Sequence, residues 1–143
     1  MKIPEDNKYF HFYNANPKNK DAKDCTYRAL ALFLNKSWDD IARLDADFYL
    51  SHGMWFYTKE RVGCLPRNRI DDYMNENGYK TVYSKYREDK FIGNIRKFID
   101  NYAESKKVYL CVTQGHMLAI KDKKVWDTWD SSKRCAEMIF ENM

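Results

Sequence analysis

After residue 107 the apolar residues change their period, and that change limits what the chain can fold into. The runs VYLCVT (108–113), HMLAIK (116–121) and KVWDTW (124–129) are short and rich in β-branched and aromatic residues, as strands are. Only Asp122-Lys123 separates HMLAIK from KVWDTW, so the two read as the arms of a hairpin with a short turn. Met138-Ile139-Phe140 is expected to add a final strand.

Upstream the spacing is helical. From Cys25 to about Leu34, the positions Ala29, Leu30, Leu32, Phe33 and Leu34 predict a largely buried helix that Asp24 can cap and Asn35 can end. Ser37 followed by Asp40 resembles a capping box, opening a second helix whose face Ile41, Leu44 and Phe48 runs toward Gly53. These two helices are expected to pack together. Pro66 precedes a third helix through Ile70, Tyr73 and Met74, stopped by Asn77-Gly78, and TVY (81–83) reads as a strand after it. The stripe Phe91, Ile95, Phe98 and Ile99 predicts a fourth helix over 90–102. Residues 1–24 read as an extended, turn-rich arm around the aromatic cluster YFHFY. Helices first and an antiparallel sheet after them predict an α+β fold, and 143 residues suit a single domain.

Composition excludes several classes of function. With 44% hydrophobic and 16% aromatic residues the chain is globular and not disordered. No apolar segment reaches the roughly 18 residues that span a bilayer, and MKIPEDNKYF lacks the layout of a secretion signal, so a cytoplasmic protein without a membrane partner is expected. The net charge of +4 arises from 25 basic and 21 acidic residues interspersed along the chain. No basic stripe points to nucleic acid, and Arg61, Arg67, Arg69 and Arg96 support that reading only as a subordinate one. Cys25, Cys64, Cys111 and Cys135 form no CxxC or CxxH pair, which argues against structural zinc, and a cytoplasmic domain of this size is a poor candidate for a disulfide framework. Neither a metal nor an organic cofactor is expected.

Each cysteine is therefore judged by its own surroundings. Cys25 lies at the first turn of a predicted helix, where unpaired backbone N–H groups and the helix dipole favour an anion, the setting a nucleophilic thiolate needs. A buried filler cysteine is the competing reading. A thiol nucleophile also needs a base. His11 lies in the aromatic arm and His52 at a helix end, whereas His116 opens a strand directly after Gly115, with room for a neighbouring side chain or substrate to approach. The hairpin returns Asp127 and Asp130 toward His116, and a carboxylate there can fix the tautomer and orientation of the ring. A two-residue turn at Asp122-Lys123 puts Asp127 on the face of His116, and a three-residue loop puts Asp130 there. Asp130 is favoured because it stands at the strand end beside Ser131-Ser132, with Asp127 as the alternative.

A cysteine at a helix start, followed downstream by a Gly-His strand and an aspartate strand, resembles the papain-like cysteine peptidase superfamily in residue type and order. The likeness is to its small bacterial and phage-type members, including the peptidases that process bacteriocin leaders, and it rests on Asp24-Cys25, Gly115-His116 and Trp129-Asp130-Ser131. It implies a papain-like α+β fold and a Cys-His-Asp triad of Cys25, His116 and Asp130 that hydrolyses a peptide or isopeptide bond. In that superfamily a glutamine six residues before the nucleophile donates to the oxyanion; here Asn19 stands in its place, a shorter donor to pair with the backbone N–H of Cys25. Thr26 follows the cysteine where the leader-processing peptidases carry glycine. Trp129 resembles the indole that shields the histidine–carboxylate bond. The implied partner is a protein or peptide, with SHGMWFYTKERVGCLPRNR (51–69) as a substrate-contacting loop. The same machinery runs amidase, deamidase and transglutaminase chemistry. A non-catalytic binding module or inhibitor of phage or mobile-element origin is the rival from another class.

Overall fold

The computed structural model describes residues 3–18, 24–52, 67–87 and 89–142, with the backbone alone described at 48–52 and 67–71. Its elements in chain order are β1 (Phe10–Phe12), α1 (Cys25–Phe33), α2 (Trp38–His52), α3 (Arg67–Glu76), β2 (Lys80–Ser84), α4 (Ile95–Asn101), β3 (Val108–Thr113), β4 (His116–Lys121), β5 (Lys124–Asp127) and β6 (Ala136–Asn142). The strands form one sheet in the order β1-β5-β4-β3-β6-β2. The α+β class holds.

The sheet differs from the expected antiparallel one in two respects. It is mixed, because β1 pairs in parallel with β5, and two of its strands precede β3 in the chain. The N-terminal arm is thus partly sheet: Phe10 is fully buried, Tyr13 N–H donates to Asp127 O at 2.8 Å and Val125 N–H to Tyr9 O at 2.7 Å. The outer side of β1 is closed by its own chain, with Asp6 Oδ1 accepting from Phe12 N–H at 3.0 Å and Asn7 N–H donating to Phe10 O at 3.0 Å. An edge satisfied in this way offers little to a second chain.

Side-chain alternation divides the core in two. Leu110 and Val112 of β3, Met117 and Ala119 of β4, and Met138 and Phe140 of β6 pack with Leu30 and Phe33 of α1, Ile41 of α2, and Tyr73 and Met74 of α3. Their neighbours Tyr109, Cys111, Leu118, Ile120 and Ile139 pack with Ile95, Phe98 and Ile99 of α4. Helices therefore cover both faces, and β3 and β4 are buried on each side. Full burial of a residue such as Leu30 contributes about 2 kcal/mol.

Local chemistry explains where the helices stop and start. Asn35 ends α1 in the left-handed region at φ 53°, and Lys36 N–H donates to Ala31 O and Asn35 N–H to Leu32 O, a Schellman pair. Ser37 Oγ accepts from Asp40 N–H at 3.1 Å at the start of α2. Gly78, at φ 76°, ends α3. The fourth helix begins at Ile95, not at residue 90: Gly93 has φ 84°, Asn94 Oδ1 caps the helix by accepting from Lys97 N–H at 3.0 Å, and Phe91 is left 67% exposed outside it. The expected strand 124–129 ends at Asp127. Among the described residues no helix is long and apolar enough to cross a membrane.

Candidate active site

Cys25 is the first residue of α1, which lies against β3, β4 and β5, so the thiol meets the end of the sheet where β4 begins. Gly115, at φ 71°, turns the chain between β3 and β4, and Thr113 Oγ1 donates to His116 O at 2.8 Å, fixing the start of β4. The next turn decides which aspartate joins the histidine. Asp122 and Lys123 have φ 52° and 59°, and Lys121 pairs with Lys124, so the loop has two residues. Ala119 pairs with Trp126; continuing that register sets Asp127 opposite Leu118, on the face shared by Leu118 and His116.

Asp127 Oδ2 lies 2.6 Å from His116 Nε2. The same oxygen accepts from Ser131 Oγ at 2.7 Å, while Oδ1 accepts from Thr128 N–H at 2.7 Å and faces Arg28 Nη2 at 3.4 Å. The preference for Asp130 is thus corrected. Asp130 accepts from Asn7 Nδ2 at 3.0 Å and Arg96 Nη2 at 3.3 Å on one oxygen, and from Ser132 Oγ at 2.6 Å on the other. It ties the loop after β5 to α4 and to the N-terminal arm, and the shorter turn is the reason.

The Cys25 side chain lies beside His116, near enough to favour the charged ring. With Nε2 engaged by Asp127, Nδ1 is the nitrogen left for sulfur. Burial works against the imidazolium, yet the hydrogen bond with Asp127, the nearby Cys25 and the attraction to both outweigh it, raising His116 from 6.5 to about 9. Cys25, His116 and Asp127 are 4%, 7% and 3% exposed, so this contact is sheltered from screening by water. The Trp129 ring, itself 41% exposed, covers the imidazole at 4.8 Å between centroids. The Arg134 guanidinium lies 5.9 Å from that indole.

Asp24 departs from its expected role. Its side chain makes no cap hydrogen bond; the buried carboxylate instead pairs with Arg28 and accepts from Trp38 Nε1 at 2.7 Å and Asn16 Nδ2 at 3.2 Å. Neither Arg28 nor Ser131 stood out as a functional residue in the sequence. The available signal for Arg28 was a charged side chain inside an otherwise apolar helix, four residues after an aspartate.

The other expected participants lie apart from this group or outside the described residues. Asn19, Cys64 and most of 51–69 lie outside them, as do the side chains of His52, Arg61, Arg67 and Arg69. His11 Nδ1 bonds Asp6 at 2.6 Å and the ring packs on Trp126. Arg96 is engaged by Ser132 and Asp130 and lies over the Tyr9 ring. Cys111 is fully buried, and burial pushes its thiol far up; Cys135 is exposed. Among the described residues no cluster of three histidine, cysteine or acidic side chains is placed to hold a metal ion.

Comparisons with protein-family models, curated proteins and solved structures find no match to the chain, so any reading of its chemistry rests on the geometry of these residues.

Proposed function

We propose that the protein is a papain-like cysteine peptidase that hydrolyses a peptide or isopeptide bond through Cys25, His116 and Asp127. The observation that carries the reading is the buried Asp127–His116 hydrogen bond, with a cysteine at the first turn of a helix beside the same ring. A histidine held by a carboxylate on one nitrogen and a thiol on the other is the arrangement in which a thiolate–imidazolium pair forms.

The sulfur of Cys25 attacks the acyl carbon, and the charge that develops on the carbonyl oxygen is met by backbone N–H groups of the first turn of α1, which have no partner within the helix. Asn19 is proposed as a further donor. His116 gives its proton to the departing amine, leaving a thioester on Cys25. It then takes a proton from water, which attacks the thioester and releases the acid. Asp127 keeps the ring oriented with Nδ1 toward sulfur throughout. Trp129 excludes water from the His116–Asp127 bond. Amidase, deamidase and transglutaminase reactions share the first step and differ in the acyl acceptor or the group released.

Alkylation by iodoacetamide near neutral pH, resolved by peptide mass spectrometry, tests the reading. Cys25 is expected to label faster than Cys111 in native protein, and its rate is expected to fall about tenfold or more in His116→Ala. A Cys25 that labels no faster than Cys111, or that ignores the loss of His116, refutes the proposal and favours a binding module without turnover.

A further inference from the structure

Behind the triad lies a second set of buried charges that the mechanism does not use. Asp24 stands immediately before the nucleophile and Arg28 one turn after it, 3% and 5% exposed. Arg28 pairs with Asp24 through Nη1 and faces Asp127 Oδ1 through Nη2 at 3.4 Å. Asp24 is held from behind by Trp38 Nε1 and Asn16 Nδ2. A continuous polar path therefore runs from the helix start that carries Cys25, through one guanidinium, to the carboxylate that holds His116. A planar guanidinium with several fixed donors can link two carboxylates in this way, and a neutral residue cannot.

We propose that Arg28 is a positioning residue for the Cys25–His116 pair, tying the nucleophile's helix to Asp127 and balancing the negative charge of the site. This rests on the thiol-hydrolase reading above. Among the described residues, the carboxylates that Arg28 meets are Asp24, beside Cys25 on α1, and Asp127 on β5, which holds His116 of β4. Tyr13, after β1, has a phenol that burial raises and the Arg28 charge lowers. On α2 the buried Asp45 is bonded to the Tyr27 hydroxyl. When the thiolate and the imidazolium are both present, Asp24, Asp127 and Cys25 are negative while Arg28 and His116 are positive. Without Arg28, the imidazolium is the one cation among these described groups to oppose three anions, in a buried site. Ionising the thiol then costs more, because a net negative charge in a low dielectric is poorly screened.

The test is the pH dependence of Cys25 alkylation in the full chain, with protection of Cys111 reporting an intact fold. In Arg28→Met the midpoint is expected to rise by about one pH unit, slowing labelling at neutral pH about tenfold. Arg28→Lys keeps the charge and is expected to hold the midpoint near that of wild type. A folded Arg28→Met variant with the wild-type midpoint overturns the proposal, and so does an Arg28→Lys variant displaced as far as Arg28→Met. Should Arg28→Met not fold, the double variant Arg28→Met/Asp24→Asn removes one charge of each sign. Its midpoint is expected to return to that of wild type, while the rate at the alkaline plateau stays several-fold lower because Asp127 has lost its tie to α1. A wild-type plateau in that variant overturns the proposal. A wild-type Cys25 that is slow and independent of His116 refutes the peptidase reading instead, so the two failures are distinct.

Discussion

Replacing Asp127 by asparagine preserves the size and one acceptor oxygen of the side chain that meets His116 but removes its charge. His116 is held at about 9 against an ordinary 6.5, and at 1.36 kcal/mol per unit that gap corresponds to about 3 kcal/mol. Burial acts in the opposite sense on this ring and Cys25 in the same sense as Asp127, so without the carboxylate its midpoint is expected to fall well below 9, toward 6.5. The folded value lies above the unfolded one. The stabilisation is therefore complete below pH 6.5 and is lost as pH rises through about 9. Asp127→Asn also leaves Arg28 short of a partner, but that cost does not change with pH in this window, so the pH-dependent part of the difference is diagnostic. Urea unfolding at a series of pH values is expected to show wild type exceeding the variant most between pH 5 and 6.5. The margin should narrow by about 3 kcal/mol toward pH 9. An NMR titration of the imidazole gives the midpoint directly. Asp130→Asn should leave that midpoint in place, because Asp130 bonds Asn7, Arg96 and Ser132 and not the ring. A His116 that still titrates near 9 in Asp127→Asn, or that Asp130→Asn moves equally, refutes the role of Asp127 as the partner of the ring.

Two smaller changes test what surrounds the pair. Ser131→Ala removes the buried hydroxyl that donates to Asp127 Oδ2 at 2.7 Å, and is expected to cost about 1–3 kcal/mol by urea unfolding, with the His116 midpoint shifted much less than in Asp127→Asn. Changing Asp122-Lys123 to Asn-Gly puts residues suited to positive φ at two positions with φ 52° and 59°, and is expected to stabilise the protein by about 1 kcal/mol while leaving Cys25 labelling unchanged. Slower labelling in that variant would mean that the turn does not have the two-residue register on which the Asp127 assignment depends.

That hairpin also marks the limit of what the residues alone could say. The strands at 108–113 and 116–121 were legible because both of their faces are buried, which makes them unbroken apolar runs, and the helix at 25–33 because its apolar stripe ends at an asparagine suited to the left-handed region. The fourth helix was misjudged at its start because Phe91 continues the apolar spacing although Gly93 breaks the backbone before it. β1 was hidden for another reason: three residues show no usable period, and their partner Val125–Asp127 lies near the other end of the chain. In the candidate site the residue types were legible and one choice among them was not. Asp127 and Asp130 are both plausible partners in composition, and a one-residue difference in turn length exchanges the faces they occupy. Asp122-Lys123 lacks the glycine that would have marked a tight turn with left-handed residues, so nothing local favoured the shorter loop. Asp24 was misread by the same kind of local rule. A cap hydrogen bond contributes about 1 kcal/mol, whereas a buried carboxylate left without Arg28, Trp38 and Asn16 would cost several times as much, so tertiary partners take the side chain from the helix end. Both misjudgements concern carboxylates whose role depends on the surrounding fold: the two-residue turn brings Asp127 to His116, and Arg28, with Trp38 and Asn16, holds Asp24 away from the helix cap.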